Sequence, residues 1–512
     1  MARVSQSELL PAPIPGRQAD SALRQRCPRT EIHASGARRP RTRSVISWGE
    51  RPREEPQGNR MDRSDQSDRS DPSETEETRM PSKTPLTRRD FLKRSGFATG
   101  AAALPNIVPA SVLGRGAIPA PSNRVAMAFI GVGGKGTGGM RNFMNCDACQ
   151  VVAVCDVDAR AREQARNTAG LPPDAAYNDF RELVARDDID AVQVATPDHW
   201  HVPVSLAAVE SGKDVYCEKP LSNTIAEGKA LLEAVHRTGA VFQHGTQLRS
   251  LRATRFACEL VRNGRIGDLH TIRIGSPAGM AISAQPEAPV PDWLDYDLWL
   301  GPAPWAPYTP HRIKVPGQLP GWYFISDYST SGWVAGFGVH DVDLAFWGMG
   351  HAWDGPFEIE GRGVFPEDGL FDTVLTYHLE YRFANGVKLI MTTLDETPRH
   401  GVQFIGSEGW VFTRADIDAE PKSLLKETIG ADEVHLYESM LHERNFLECV
   451  QSRADTITPI EAAYRACTTC LAGGIALALG RALRWDPSRD AFVNDAEANR
   501  LMARAMRPPW RV

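Results

Sequence analysis

The sequence predicts an α/β protein in which a parallel sheet, built strand by strand through intervening helices, precedes a second sheet-bearing region. Three observations predict it. From Val125 onward, apolar runs of strand length alternate with helix-length segments. The first run opens straight into the glycine-rich turn Gly131-Val132-Gly133-Gly134-Lys135-Gly136. Far downstream, Asn385-Gly386 marks a hairpin between two β-rich stretches, 373–383 and 387–393.

The 512-residue chain is 42 % hydrophobic and 24 % charged, with a net charge of −6. Those averages exclude a collagenous, wholly disordered or multi-spanning membrane protein, and the length suits about three domains. A negative balance argues against nucleic acid as a partner, because phosphate binding calls for a basic footprint. Nine cysteines in so long a chain do not make a disulfide scaffold.

Residues 1–80 are rich in Arg, Ser, Asp, Glu and Pro and lack apolar periodicity. Such a segment cannot bury enough surface to offset its ordering entropy, so a disordered extension is expected. Within 81–120, Thr87-Arg88-Arg89-Asp90-Phe91-Leu92-Lys93 precedes a modestly apolar run over 96–113. Paired arginines, a short apolar run and small residues make an export signal. Pro105 and Pro109 interrupt the run before it could form a stable membrane span. The heptapeptide resembles the twin-arginine consensus at every fixed position, which implies the export machinery as a partner and a periplasmic destination. A signal so far from Met1 suggests that translation starts at Met61 or Met80.

The Rossmann-type dinucleotide-binding domain is expected over 121–246. The run 125–130 is continuously apolar, as a buried parallel strand should be. Of the glycines that follow it, Gly131 permits the tight turn, Gly133 lets backbone approach a pyrophosphate, and Gly136 lets the next helix pack on the strand. A second strand over 151–155 ends in Asp156, twenty residues after Gly136. That is the spacing of an acid that holds the adenosine ribose hydroxyls and repels a 2′-phosphate, which favours NAD. Asp158 is a second candidate, and Arg160 leaves NADP open. Further strands, 191–195 and 214–217, end in Thr196-Pro197-Asp198-His199-Trp200-His201 and Glu218-Lys219-Pro220, with a helix over 202–211 between them. Ligands of open parallel sheets bind beyond the strands' carboxyl ends, so Gly131, Asp156, Thr196 and Lys219 converge on one crevice.

These motifs, with Gly338-Val339-His340-Asp341-Val342-Asp343, resemble the glucose–fructose oxidoreductase and inositol dehydrogenase (Gfo/Idh/MocA) family, in its exported branch. The resemblance runs from about residue 125 to the C-terminus. It implies a nicotinamide-binding Rossmann domain and a C-terminal α/β domain, 247–512, with an open, mostly antiparallel sheet serving substrate binding and oligomerisation. Gly131, Gly133, Gly136, Asp156, Thr196, Pro197, His201 and Glu218 are then the cofactor-binding candidates. A homodimer or homotetramer is implied, as is a cis Lys219–Pro220 peptide. Residues 401–405 and 410–413 add candidate strands of the second sheet.

The implied catalytic residues are Lys219, His340 and Asp343. A lysine in a desolvated crevice has its charged form disfavoured, which suits a general acid/base. The imidazole of His340 relays protons near neutral pH. Asp343 shares a helix face with it and so could orient it. The chain departs from the D-x-G-x-H pattern of many relatives, with Gly336 where they carry Asp; either Asp341 or Asp327 replaces it, or the substrate needs no such contact. His201 either positions substrate or nicotinamide, or only shapes the helix entry. Residues 243–249 and the aromatics Trp322, Tyr323 and Tyr328 are candidate sugar contacts. Cys146/Cys149 and Cys467/Cys470 fit small packing residues better than zinc or a disulfide, and no metal site is expected.

The expected activity is hydride transfer between a sugar, glycoside or cyclitol hydroxyl and tightly bound nicotinamide. The alternative is a redox-neutral glycosidase or lyase acting through transient C3 oxidation; Glu218-Lys219-Pro220 favours the first. A ligand sensor on the same fold is a third class, against which Lys219 and His340 argue.

Overall fold

The computed structural model describes residues 123–314, 320–350, 355–394, 396 and 399–512. The expected disordered extension and export signal lie outside these residues. In the first sheet, β1 (Val125–Ile130), β2 (Cys149–Cys155), β3 (Ala176–Tyr177), β4 (Ala191–Val194), β5 (Asp214–Cys217) and β6 (Phe242–His244) are all parallel, in the order β3-β2-β1-β4-β5-β6. The order reverses direction between β1 and β4, which opens a crevice at their carboxyl ends. Gly131, at the tip of β1, has φ +80°.

The helix that follows β4 runs from Asp198 to Glu210, one turn earlier than the sequence pattern suggested, with Pro203 inside it. The start is early because the Asp198-His199-Trp200-His201 turn is itself helical and buried. The helix Ile225–Thr238 begins with a reciprocal cap. Thr224 Oγ1 accepts from the Glu227 amide at 3.2 Å, and the Glu227 carboxylate accepts from the Thr224 amide at 3.1 Å.

The second sheet comprises β7 (Leu269–Ser276), β8 (Phe357–Val364), β9 (Thr376–Arg382), β10 (Lys388–Thr393), β11 (Gly401–Gly406), β12 (Gly409–Thr413), β13 (Ile417–Glu420), β14 (Leu483–Asp486) and β15 (Ala491–Phe492). Its order is β13-β12-β11-β7-β10-β9-β8-β14-β15. The β7–β10 pair is parallel and every other pair is antiparallel, so the sheet is mixed but mostly antiparallel. The β9–β10 hairpin turns at Asn385-Gly386, as its sequence indicated, with Gly386 at φ +86°.

One face of this sheet carries the helices. Ile460–Leu479 is long and apolar enough to cross a membrane, but it is mostly buried here as a core helix. It packs on β8, on the helix Gly338–Met349 and on Ile225–Thr238, joining both sheets into one continuous apolar core. The helix Gly338–Met349, which carries His340, approaches β11 through Gly348, where an added Cβ would stand 2.6 Å from the Phe404 ring. Phe404 is fully buried. Phe404→Ala is therefore expected to lower unfolding stability by about 3–5 kcal/mol, measured by denaturant titration.

Candidate active site

The glycine turn and the ends of β2, β4 and β5 border one cavity of about 460 Å³. Gly131, Gly133, Asp156, Thr196, Pro197 and His201 all line it, as do Glu218 and Lys219. The ammonium-bearing residue and the glycine turn therefore share one crevice.

The three fingerprint glycines do separate work. A Cβ on Gly131 would lie 2.6 Å from the Ala195 carbonyl carbon, and one on Gly136 only 1.8 Å from the Gly131 oxygen. At Gly133 a Cβ would meet nothing within 4 Å, leaving open space where a phosphate can approach backbone. Asp156 accepts from the Val132 amide at 2.8 Å and the Asp158 amide at 2.9 Å. Burial pushes its carboxyl up to about 6 against those hydrogen bonds. Asp158 instead caps the next helix and holds Arg160 at 2.9 Å, while the guanidinium lies 3.3 Å from the centre of the Trp293 ring. Arg160, the residue that left NADP open, is thus already engaged. These residues fit a dinucleotide that carries a free 2′-hydroxyl.

Lys219 follows β5 through a cis Lys219–Pro220 peptide, as the resemblance implied. The cavity reaches its side chain, but protein surrounds it. Its Nζ donates to the Gly336 carbonyl at 2.6 Å and lies 5.5 and 5.8 Å from the Phe337 and Tyr323 ring centres. Burial lowers its pKa, opposed by the charges of Asp198 and Glu218. Glu218 pairs with Lys135 of the glycine turn at 3.1 Å and accepts from Gln247 at 3.1 Å. His201 spans the two loops, with Nδ1 2.6 Å from the Pro220 carbonyl and Nε2 2.9 Å from that of Thr196. Burial depresses its pKa to about 4, so the ring is neutral and its single N–H donates to one of these two carbonyls while the other lies against the bare nitrogen.

His340 and Asp343 do not form the pair their spacing suggested. Asp343 is bidentate to Arg249, at 2.6 and 2.8 Å, with both groups buried. An arginine 94 residues away claims the carboxylate, so Asp343 anchors the helix and does not orient the imidazole. His340 Nδ1 is buried without a partner among the described residues. Burial, then the Lys219 and Arg414 charges, holds this imidazole neutral. Neither His340 nor Asp343 lines the cavity.

The two proposed replacements for the missing acid also fall elsewhere. Asp341 is bound by Arg414 at 2.7 and 2.8 Å, and Asp327 is absent from the cavity wall. Of the aromatic candidates, Trp322 and Tyr323 line the cavity, while Tyr328 is fully buried beside Arg312. Gln243, Gln247 and Arg249 are spent on His442, Glu218 and Asp343. The sequence reading missed Asp198, Trp299, Trp333 and Phe337, all of which line the cavity. Asp198 stood in a recognised motif and could have been read there. Among the described residues no His, Cys, Asp or Glu cluster could hold a metal, and eight cysteines are buried and unbridged.

The fold and this crevice define an NAD-binding oxidoreductase. Residues 125–246 match the description "Oxidoreductase family, NAD-binding Rossmann fold", and 279–512 match "Oxidoreductase family, C-terminal alpha/beta domain". The chain belongs to the Gfo/Idh/MocA oxidoreductase family. A "Glycosyl hydrolase family 109 protein" of Shewanella pealeana is 30 % identical over 202 residues, 36 % of this chain and 44 % of that protein. The chain thus matches less than half the length of that relative. Aldose-aldose oxidoreductase from Caulobacter crescentus superposes with TM-score 0.53 at 19 % identity, over 70 % of this chain and 99 % of that one. Levoglucosan dehydrogenase, in complex with NADH and L-sorbose, gives 0.52 at 19 %, over 71 % and 99 %.

Gly136→Ala is expected to weaken NAD affinity at least about tenfold, or ~1.4 kcal/mol, by calorimetric titration. Asp343→Ala, which strands Arg249, should cost about 3–5 kcal/mol of stability in denaturant unfolding.

Proposed function

We propose that the chain oxidises a hydroxyl of a sugar, glycoside or cyclitol, with hydride passing to an NAD that stays bound. The observation that carries this reading is Lys219 facing the same cavity as the glycine turn. NAD, when bound, supplies the hydride acceptor. Gly133 and the amides of the turn would hold its pyrophosphate, and Asp156 its ribose. Lys219, whose pKa burial lowers, takes the proton of the substrate hydroxyl. Trp322, Tyr323, Trp333 and Phe337 wall the cavity beside it, and such aromatic faces suit the C–H faces of a sugar ring.

Retention of NAD is supported by the segment that reaches over the β2 end. The Ala159 amide donates to the Trp293 carbonyl at 2.9 Å and the Asp295 amide to that of Val157 at 3.1 Å, while Leu294 and Trp299 join the cavity wall. We further propose periplasmic export by the twin-arginine route and assembly as a homodimer or homotetramer.

The name of the Shewanella relative favours a second reading, redox-neutral glycoside cleavage through transient oxidation at C3. A panel of sugars and glycosides, scored for both nicotinamide reduction and aglycone release, separates the two. Mass spectrometry of the denatured protein should find NAD. Lys219→Ala should lower sugar-dependent reduction by about 10²–10⁴-fold. Aglycone release without net reduction would install the second reading, and protein without nucleotide affinity would overturn both.

A further inference from the structure

Asp198 is 2 % exposed, lines the cavity, and opens the helix Asp198–Glu210, where the helix dipole favours a carboxylate. Its Oδ2 accepts from Ser329 Oγ at 2.8 Å, and its Oδ1 is buried with no partner among the described residues. The loop that carries it lies beside the loop that carries Lys219, because β4 and β5 pair with Val194 opposite Cys217. His201 is packed between the two loops, its ring nitrogens 2.6 Å from the Pro220 carbonyl and 2.9 Å from that of Thr196.

Of the other carboxylates of the cavity wall, Asp158 has Arg160 and Asp156 binds two backbone amides. Glu218 is held through Oε1 by Lys135 and Gln247, with its Oε2 buried and unpartnered among the described residues, and its charge acts on Lys219 less than that of Asp198. The hydrogen-bond acceptor of Lys219, the Gly336 carbonyl, is neutral. We infer that Asp198 is the counter-charge of Lys219, a positioning residue that sets the basicity of that amine.

The inference rests on the reading of Lys219 as acid/base. In the forward step the substrate O–H bond breaks and an N–H bond forms on the Lys219 amine, while the carbinol C–H pair leaves as hydride to the NAD already invoked. The ammonium so formed is stabilised through space by the Asp198 charge, which acts from the same cavity wall. Burial raises Asp198 to about 7, and the Lys219 charge and the Ser329 hydroxyl oppose that rise.

Glu218, Lys135, Arg414 and the imidazoles of His201, His340 and His244 act on one or the other member of this pair or on its neighbours. Tyr323, Cys217 and Cys467 face Asp198, and burial holds all three protonated. None of these groups changes in the variants below, so a shift between variants reports Asp198.

The test is the pH dependence of reductive methylation at Lys219, read by peptide mass spectrometry on the full chain. Asp198→Asn should lower the labelling midpoint by about one pH unit, a tenfold change in the amine-to-ammonium ratio. Asp198→Glu should restore it. The acid limb of the pH profile for sugar-dependent nicotinamide reduction should move down by the same amount, with kcat falling and KM little changed. Ser329→Ala, which loosens Asp198 without removing it, should move the midpoint the same way by less, and it serves if Asp198→Asn fails to fold. A midpoint unchanged in every variant that folds overturns the inference. Sugar-dependent reduction unchanged in Lys219→Ala overturns the acid/base reading instead, and the labelling midpoint still decides the role of Asp198.

Discussion

Moving an ammonium group out of water costs several kcal/mol unless other groups replace its hydration, and Lys219 has been moved into a crevice walled by protein. Its replacements come from three parts of the chain. The Gly336 carbonyl precedes the His340 helix, the Phe337 and Tyr323 rings offer their faces, and Asp198 approaches from the neighbouring loop of the first sheet. The compensation is incomplete, which leaves the amine easier to deprotonate than a surface lysine. A fully solvated lysine would stay charged at neutral pH and could not accept a proton.

Topology is what makes these contacts available. A parallel sheet sets every strand's carboxyl end on one edge, so segments separated by many residues meet without a dedicated scaffold. The second sheet contributes by holding the helix Gly338–Met349 against β11 and β7. The ion pair between Asp343 and Arg249 ties that helix to the segment following β6, and so couples the two sheets just behind the site. Buried on both sides, this pair fixes register at the junction more than it adds stability.

The parts of this architecture that rest on local pattern could be read from the sequence. The apolar runs of β1, β2, β4 and β5, the glycine turn, the acid after β2 and the Asn385-Gly386 hairpin each depend on neighbours within a few residues. What escaped was set by partners distant in sequence. The parallel pairing of β7 with β10 joins segments more than a hundred residues apart, and nothing in either strand names the other. Asp343 lies one helical turn from His340, so spacing paired them, yet Arg249 offers the stronger charge-assisted contact. Asp198 was visible as a residue of its motif. Its role depends on the Lys219 loop lying alongside, and that follows only from the β4–β5 pairing.

The two ends of the cavity are built from different material, and this bears on what can vary. At the glycine turn the contacts are backbone amides, φ-positive glycine and one carboxylate held by two amides, leaving little freedom for side-chain substitution. Around Lys219 the wall is Trp322, Tyr323, Trp333 and Phe337, side chains from the long connection between β7 and β8. Trp322 and Tyr323 are 3.8 Å apart between ring centres, Tyr323 and Trp333 5.0 Å, and Trp333 and Phe337 4.4 Å, so the rings pack as one continuous surface. Changing one ring changes the shape seen by a substrate without touching the turn that would hold the dinucleotide. On the proposed reading, such a division would let one hydride chemistry serve many hydroxyl-bearing rings, with selection assigned to the aromatic wall and proton transfer to the lysine set against it.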